Sequence, residues 1–337
     1  MTLTVNSVEL VEELKTCIKA KLVPMIVGSP GIGKSSIIAQ VADHFKLKLI
    51  DIRLAQCDPC DLNGMPYVKD GIAYWTPFNV FPLEDNSIPE GYKGWLILFD
   101  EMNSAPLSVQ SAAYKIVLDR YVGQHKLHKN VIMVCAGNLS TDKAIVNRLS
   151  TAMQSRLIHL HLELENEHWL NWAITEKIDY RIISYIEFSP SSLNTFKPNH
   201  DEYTFASART WEFVSKLIKG NDKPSLTLIC GAIGESEGRK FYGYCQIFND
   251  LPTIKDILSN PEITHIPTEP STLYAISGLL TEHLKESNAD VLLKYISRLP
   301  IEFGVITLRN IIKRYPDSIT YPAIKDWMKT YSKELFL

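Results

Sequence analysis

"LVPMIVGSPGIGKSSIIAQVADHF", residues 22–45, decides the fold. Its first part, Leu22 to Gly28, is short and apolar, as a buried strand should be. A glycine-rich turn follows, and Lys34 to Phe45 then has helical spacing. Gly28 to Ser35 matches G-x-x-x-x-G-K-[ST], with a strand before it and a helix after it. Each part of that pattern has a physical reason. Glycines let the backbone curl so that its N–H groups face phosphate oxygens, and the helix N-terminus adds a favourable dipole. Gly28, Ser29, Pro30, Gly31, Ile32 and Gly33 form the candidate phosphate loop, with Lys34, Ser35 and Ser36 opening the helix. Lys34 is expected to reach the β- and γ-phosphates of a nucleotide, and the Ser35 hydroxyl to ligate Mg2+.

On the N-terminal side, Asn6 and Glu9 have the spacing of a capping box. Val8, Val11, Leu14, Cys17 and Ile18 mark the apolar face of a first helix. On the C-terminal side, "KLKLIDIRLA" (46–55) reads as a second strand, and 56–94 as a polar, Pro- and Gly-rich insertion. Within the insertion, "MPYVKDGIAYW" (65–75) has the pattern of a hairpin turning on Asp70-Gly71. "GWLILFDE" (94–101) is a third strand, "SVQSAAYKIVLDR" (108–120) a helix and "NVIMVCAGN" (130–138) a fourth strand. "LIHLHLEL" (157–164) alternates as a half-exposed fifth strand should. Apolar strands separated by helices imply an α/β fold with a parallel five-stranded sheet covered on both faces. From about residue 166 helical patterns take over, so a boundary is expected near 165 and a second near 235–250. The expected parts are 1–165, 166–235 and 236–337.

Composition narrows the function classes. A chain of 337 residues with 45% hydrophobic and 22% charged content suits two or three ordinary globular domains. A formal charge of −3 argues against a surface that tracks nucleic acid throughout. The first residues lack the basic start and apolar stretch of a signal peptide, and no apolar run is long enough to span a membrane. Six scattered cysteines suit reduced thiols better than a disulfide framework. A soluble, cytoplasmic protein is expected.

Four apolar residues, Leu96 to Phe99, deliver Asp100 and Glu101 to the carboxyl end of a strand, where open α/β sheets bind ligands. Asp100 is placed to hold Mg2+ through water, and Glu101 to polarise an attacking water. Asn138 ends the fourth strand, beside the carboxylates, where it can orient water or sense a γ-phosphate. Arg148 and Arg156 are eight positions apart, little more than two turns of helix, so one side of a helix would project both. Phosphoryl transfer needs positive charge at the transferring group, often donated in trans. Arginines that point away from their own nucleotide would serve a neighbour's across a head-to-tail, ring-closing interface.

This order of parts resembles an AAA+ ATPase, most closely the MoxR-like branch with its dynein-related ATPase domain. "DEMNSAPLSVQSAAYKIVLDR" (100–120) and "AGNLSTDKAIVNRLSTAMQSR" (136–156) look like that branch's Walker B helix and sensor 1 regions. "SARTWEFVSKLI" (207–218) is similar to its sensor 2 segment, which makes Arg209 the lid arginine that contacts nucleotide. The 56–94 insertion sits where the branch carries its helix 2 insert. "LPTIKDIL" (251–258) and "LYAISGLL" (273–280) resemble its C-terminal helical region, so the likeness covers nearly the whole chain. It implies ATP and Mg2+ as ligands, a helical lid over 166–235, and a C-terminal helical region over 236–337. It also implies a hexameric ring, with Arg156 as arginine finger and Arg148 as a second trans arginine or interface contact. The output it implies is remodelling of a protein client, commonly one with a von Willebrand factor A domain.

Two other functions fit the same motifs. One is a nucleic-acid-linked motor using GTP or ATP in a restriction system, against which stand the mild acidity and the missing DNA-binding domain. The other is a switch that assembles on ATP without hydrolysing it. "CDPC" (57–60) lacks a second ligand pair, and His159 and His161 read as a polar strand face, so neither is taken as a metal site. Tyr67, Tyr74 and Trp75 either grip a partner or stabilise the hairpin, depending on exposure.

Overall fold

A computed structural model describes residues 3–142, 147–199, 202–221 and 223–330. Ten strands are present among them: β1 Thr4–Val5, β2 Pro24–Val27, β3 Leu47–Arg53, β4 Met65–Lys69, β5 Ile72–Thr76, β6 Gly94–Asp100, β7 Tyr121–Val122, β8 His125–Lys126, β9 Val131–Gly137 and β10 Ile158–Leu162. Interleaved with them are the helices α1 Ser7–Ala20, α2 Lys34–His44, α3 Pro59–Asn63, α4 Leu107–Asp119 and α5 Thr151–Gln154. Six of the strands form one parallel sheet in the order β1-β10-β2-β9-β6-β3. The expected sheet had five. The sixth is the two-residue β1, paired to β10 at the edge, and two residues are too few to show a period in sequence.

At its centre the sheet is buried on both faces because β2, β9 and residues 94–99 of β6 are apolar. Along β6, Leu96 and Leu98 join one core with Ile26, Val134 and Ala136 and with Leu10, Leu14, Ile38 and Val41 of α1 and α2. The intervening Trp95, Ile97 and Phe99 join the opposite core with Met25, Met133 and Cys135 and with Val109, Ala113 and Ile116 of α4. Each of the larger aliphatic and aromatic side chains contributes roughly 1.5–3 kcal/mol when taken out of water. Full burial also pushes the Cys135 thiol up to about 12.

The capping box of α1 is formed as the spacing predicts, with Asn6 Oδ1 accepting from Glu9 N at 3.0 Å and Asn6 N donating to Glu9 Oε2 at 3.0 Å. One position on its apolar face is corrected: Val8 is exposed and Leu10 takes the core place. The hairpin β4–β5 turns on Asp70 and Gly71 with φ values of 52° and 74°, so both turn positions are left-handed.

By contact density the chain divides into one unit of Met1–Glu165 with Lys197–Asn199, and a second of Asn166–Phe196 with His200–Leu337. The second unit is built from helices: α6 Asn166–Thr175, α7 Tyr180–Phe188, α8 Ala208–Ile218, α9 Leu226–Ile233, α10 Glu235–Ile247, α11 Ile254–Ser259, α12 Pro270–Glu282, α13 Ala289–Ile296, α14 Ile301–Arg314 and α15 Pro322–Thr330. Tyr185, Trp211, Phe241 and Tyr244 form an aromatic cluster with centroids 5.1–5.8 Å apart. The buried Arg181 is bidentate to Asp179, with N–O distances of 2.9 Å, and its remaining N–H groups donate to Asn221 O and Ile218 O. No helix of the described residues is long and apolar enough to cross a membrane.

Candidate active site

The strand order explains why three distant stretches meet. Helix α2 carries the chain from central β2 past two strand positions to the edge strand β3, and the sheet then returns through β6 and β9. The carboxyl ends of β2, β9 and β6 therefore lie side by side, at the end where such sheets bind ligands. Each end carries one of the sequence motifs.

After β2, the loop curls through Gly31 and Gly33, with φ of 78° and 96°. That left-handed geometry strains any residue with a Cβ. Gly28 has a different constraint: an added Cβ would lie 2.6 Å from Ile32 Cδ1 and 2.9 Å from Leu162 O. Gly33 is the N-cap of α2 and makes no side-chain cap, so the first N–H groups of the helix have no side-chain acceptor there. Lys34 is buried, and its Nζ donates to Gly28 O at 2.6 Å, Ser29 O at 3.0 Å and Asn138 Oδ1 at 3.3 Å. Ser29, Pro30 and Gly31 are half-buried, Ile32 is buried in the core under the loop, and Ser36 is exposed.

At the end of β6, Asp100 accepts from the Ser35 hydroxyl at 2.9 Å, 65 positions away in sequence. Its other oxygen accepts from Glu101 N at 2.8 Å. Glu101 itself has φ of 55°, a left-handed value costing roughly 1–2 kcal/mol in a residue with a Cβ. Non-glycine strain of this kind concentrates at functional positions. Among the described residues no donor reaches the Glu101 carboxylate. On the neighbouring strand β3, burial first, and then the Asp100 charge, push the Asp51 carboxyl above its ordinary range, while Arg53 opposes the shift.

The hard oxygen pair of Ser35 and Asp100 suits Mg2+, and the curled loop with an uncapped helix start suits a polyphosphate. The chemistry of the donor set therefore fits both expected ligands.

The arginine segment departs from the expected helix. Asn138 and Leu139 are irregular, Ser140–Asp142 is a single 3-10 turn, and α5 spans only Thr151–Gln154. Arg148 precedes the N-cap Ser150, and Arg156 follows the C-cap Ser155. The two guanidiniums thus do not share one helix face. The reason is local: Ser150 caps a new helix at 151, accepting from Met153 N at 3.3 Å, so the segment cannot be one continuous helix. Both arginines are exposed, and among the described residues Arg156 reaches only Ala152 O, at 3.5 Å. Residues 143–146 of the expected helix lie outside the described residues. Arg209 belongs to the second unit, exposed in the first turn of α8 behind the N-cap Ser207.

One residue of the site escaped sequence reading. Asn103, buried to 8% exposure, donates from Nδ2 to Asn138 O at 2.7 Å and accepts at Oδ1 from Asn138 N at 3.1 Å. Its only signal was a polar amide two positions beyond Glu101, between Met102 and Ser104. The insertion aromatics fall between the two expected cases. Tyr67 and Tyr74 stack across the strands at 5.4 Å, while Tyr67, Met65, Val68 and Ile72 remain exposed.

No family model matches the chain, and no curated protein matches it. Among solved structures, a "putative ATPase" from Cytophaga hutchinsonii is similar at 13% identity and a TM-score of 0.40, covering 98% of this chain and 90% of that one. NtrX from Brucella abortus in complex with ATP is similar at 12% identity and a TM-score of 0.40, covering 100% and 70%. Its ADP complex gives 12% and 0.34, covering 98% and 68%. At such identities and scores these likenesses decide nothing about activity, and the chemistry must come from the residues themselves.

Proposed function

We propose that the protein is a Mg2+-dependent nucleoside triphosphatase of the AAA+ type, with ATP as its substrate. The observation that carries this reading is the meeting of Lys34, the Ser35–Asp100 pair and Asn138 at adjacent strand ends. In this reading the loop N–H groups and Lys34 bind the phosphates, and Ser35 and Asp100 hold the metal, which would neutralise charge on the β- and γ-oxygens. Lys34 exchanges its bonds to Gly28 O and Ser29 O for phosphate oxygens, so binding is accompanied by a change in its partners. Glu101, whose carboxylate no donor among the described residues reaches, takes the proton of the attacking water, and Asn138 orients that water. By resemblance, Arg209 is the proposed lid arginine that contacts nucleotide.

The finer reading is a MoxR-like ring, hexameric and cytoplasmic, in which ATP turnover remodels a protein client, one with a von Willebrand factor A domain by resemblance. The exposure of Arg148 and Arg156, neither of them in an ion pair among the described residues, supports their service to a neighbouring subunit. Of the two, Arg156 is the proposed finger.

The deciding experiment measures phosphate release and nucleotide affinity in the wild type, Lys34→Ala and Glu101→Gln. Hydrolysis that vanishes in Glu101→Gln while affinity survives is the expected result. Unchanged turnover in Glu101→Gln overturns the catalytic assignment, and binding without any wild-type turnover leaves the assembly switch instead. For the ring, Arg156→Ala and Lys34→Ala subunits are mixed; partial rescue supports trans action, and no rescue counts against it.

A further inference from the structure

Asn103 has a peculiar economy of bonding. Both polar ends of its buried side-chain amide go to the backbone of one residue, Asn138, in the manner of a strand partner. They do so just beyond Gly137, where β9 has ended and ladder pairing is finished. The packing there is close: a Cβ on Gly137 would stand 2.3 Å from Asn103 Oδ1. The main chain around Asn103 is held as well. Asn103 O accepts from Asn147 N at 2.6 Å, and Asn147 Nδ2 donates to Ala105 O at 2.8 Å.

These bonds form one continuous chain inside the first unit. It runs from Lys34 Nζ to Asn138 Oδ1 at 3.3 Å, through the Asn138 backbone to Asn103, and from Asn103 to Asn147. The next residue is the exposed Arg148. We propose that Asn103 is a positioning residue: it fixes Asn138 against Lys34 and ties that position to the segment presenting Arg148. A change of partner at Lys34 is thereby felt at an arginine on the surface. The second half of this inference rests on the nucleotide-binding reading above; the first half does not.

Side-chain size and polarity make the idea testable. Aspartate in place of Asn103 keeps the shape but has no donor for Asn138 O, and alanine removes both bonds. In nucleotide-free protein, amide hydrogen exchange at Asn138 should quicken about tenfold in Asn103→Ala and less in Asn103→Asp. Unchanged protection in both variants overturns the positioning role, whatever the protein does with nucleotide. With ADP and Mg2+ added, the Asn147 amide should change its exchange rate in the wild type and not in Asn103→Ala. The same response in both would overturn the link to the Arg148 segment.

Turnover supplies the third readout. Asn103→Asp should lower kcat about 10- to 100-fold with nucleotide affinity within threefold. Combined with Asn138→Ala it should add little, because both act through one residue. Fully multiplicative losses, or loss of affinity in step with kcat, overturn the proposal. An inactive wild type with the exchange results intact would sink the ATPase reading and leave the positioning role standing.

Discussion

The Nζ of Lys34 lies 3.3 Å from the Oδ1 of Asn138, across 104 positions of sequence. The loop over residues 28–35 and the end of β9 therefore meet at one place, and the same ammonium holds Gly28 O and Ser29 O. Lys34→Ala is expected to reduce nucleotide affinity by more than tenfold, since about 1.4 kcal/mol per decade is readily exceeded by losing a charged phosphate contact. Equilibrium binding of a fluorescent nucleotide checks it.

Glu101 separates chemistry from strain. Glu101→Gln keeps the side-chain shape and the φ of 55°, and should cut turnover about 10²- to 10⁴-fold with binding retained. Glu101→Gly relieves the left-handed geometry, so it should be equally inactive but up to about 1–2 kcal/mol more stable. Parallel phosphate-release and denaturant titrations read the two effects apart.

Gly137→Ala should cost about 1–3 kcal/mol of stability, because its Cβ would meet Asn103 Oδ1 at 2.3 Å and Met25 Cε at 2.7 Å. Asn103→Ala in the same chain removes one of those clashes. The paired substitution should therefore recover part of the loss, measurable as a shift in urea midpoint.

Glu187 in the second unit gives a pH signature. Burial pushes its carboxyl above the ordinary range, against the opposing pull of Asn310, Arg309 and Lys313. The folded state thus binds this proton more tightly than the unfolded chain, so the associated stability is fully present below about the unfolded value of 4.5 and is lost as pH rises through the folded value. Glu187→Gln keeps an acceptor for Asn310 Nδ2, which donates at 2.9 Å. Its unfolding temperature should exceed the wild type's at neutral pH, and the gap should close on titrating towards 4.5.

The exposed hairpin offers a contrast. Tyr67→Ala removes the stacked partner of Tyr74 and should cost about 0.5–1 kcal/mol locally, with nucleotide affinity unmoved. Proteolysis within 65–76 should speed up while bulk unfolding stays close to the wild type.

Local chemistry was enough for much of this. The loop from Gly28 to Ser35, the apolar run of β6 ending in Asp100, the α1 capping box and the Asp70-Gly71 turn are each set by neighbours a few residues apart, and each can be read from sequence. The parallel sheet follows from alternating apolar strands and helices. What lies beyond local reach needed the folded chain. A two-residue strand such as β1 has no period of its own, and its pairing to His161 and Leu162 comes from the opposite end of the unit. The Arg148–Arg156 spacing promised one helix face, but Ser150 and Ser155 bound a helix of four residues, and the promise failed. Asn103 is the clearest case. Nothing near it in sequence explains a buried amide; only the side-by-side placement of β6 and β9 gives both of its polar atoms a partner, 35 positions away. Sequence set the elements because their causes are short-range; tertiary structure set the contacts because a buried polar group is satisfied only by what packing brings to it.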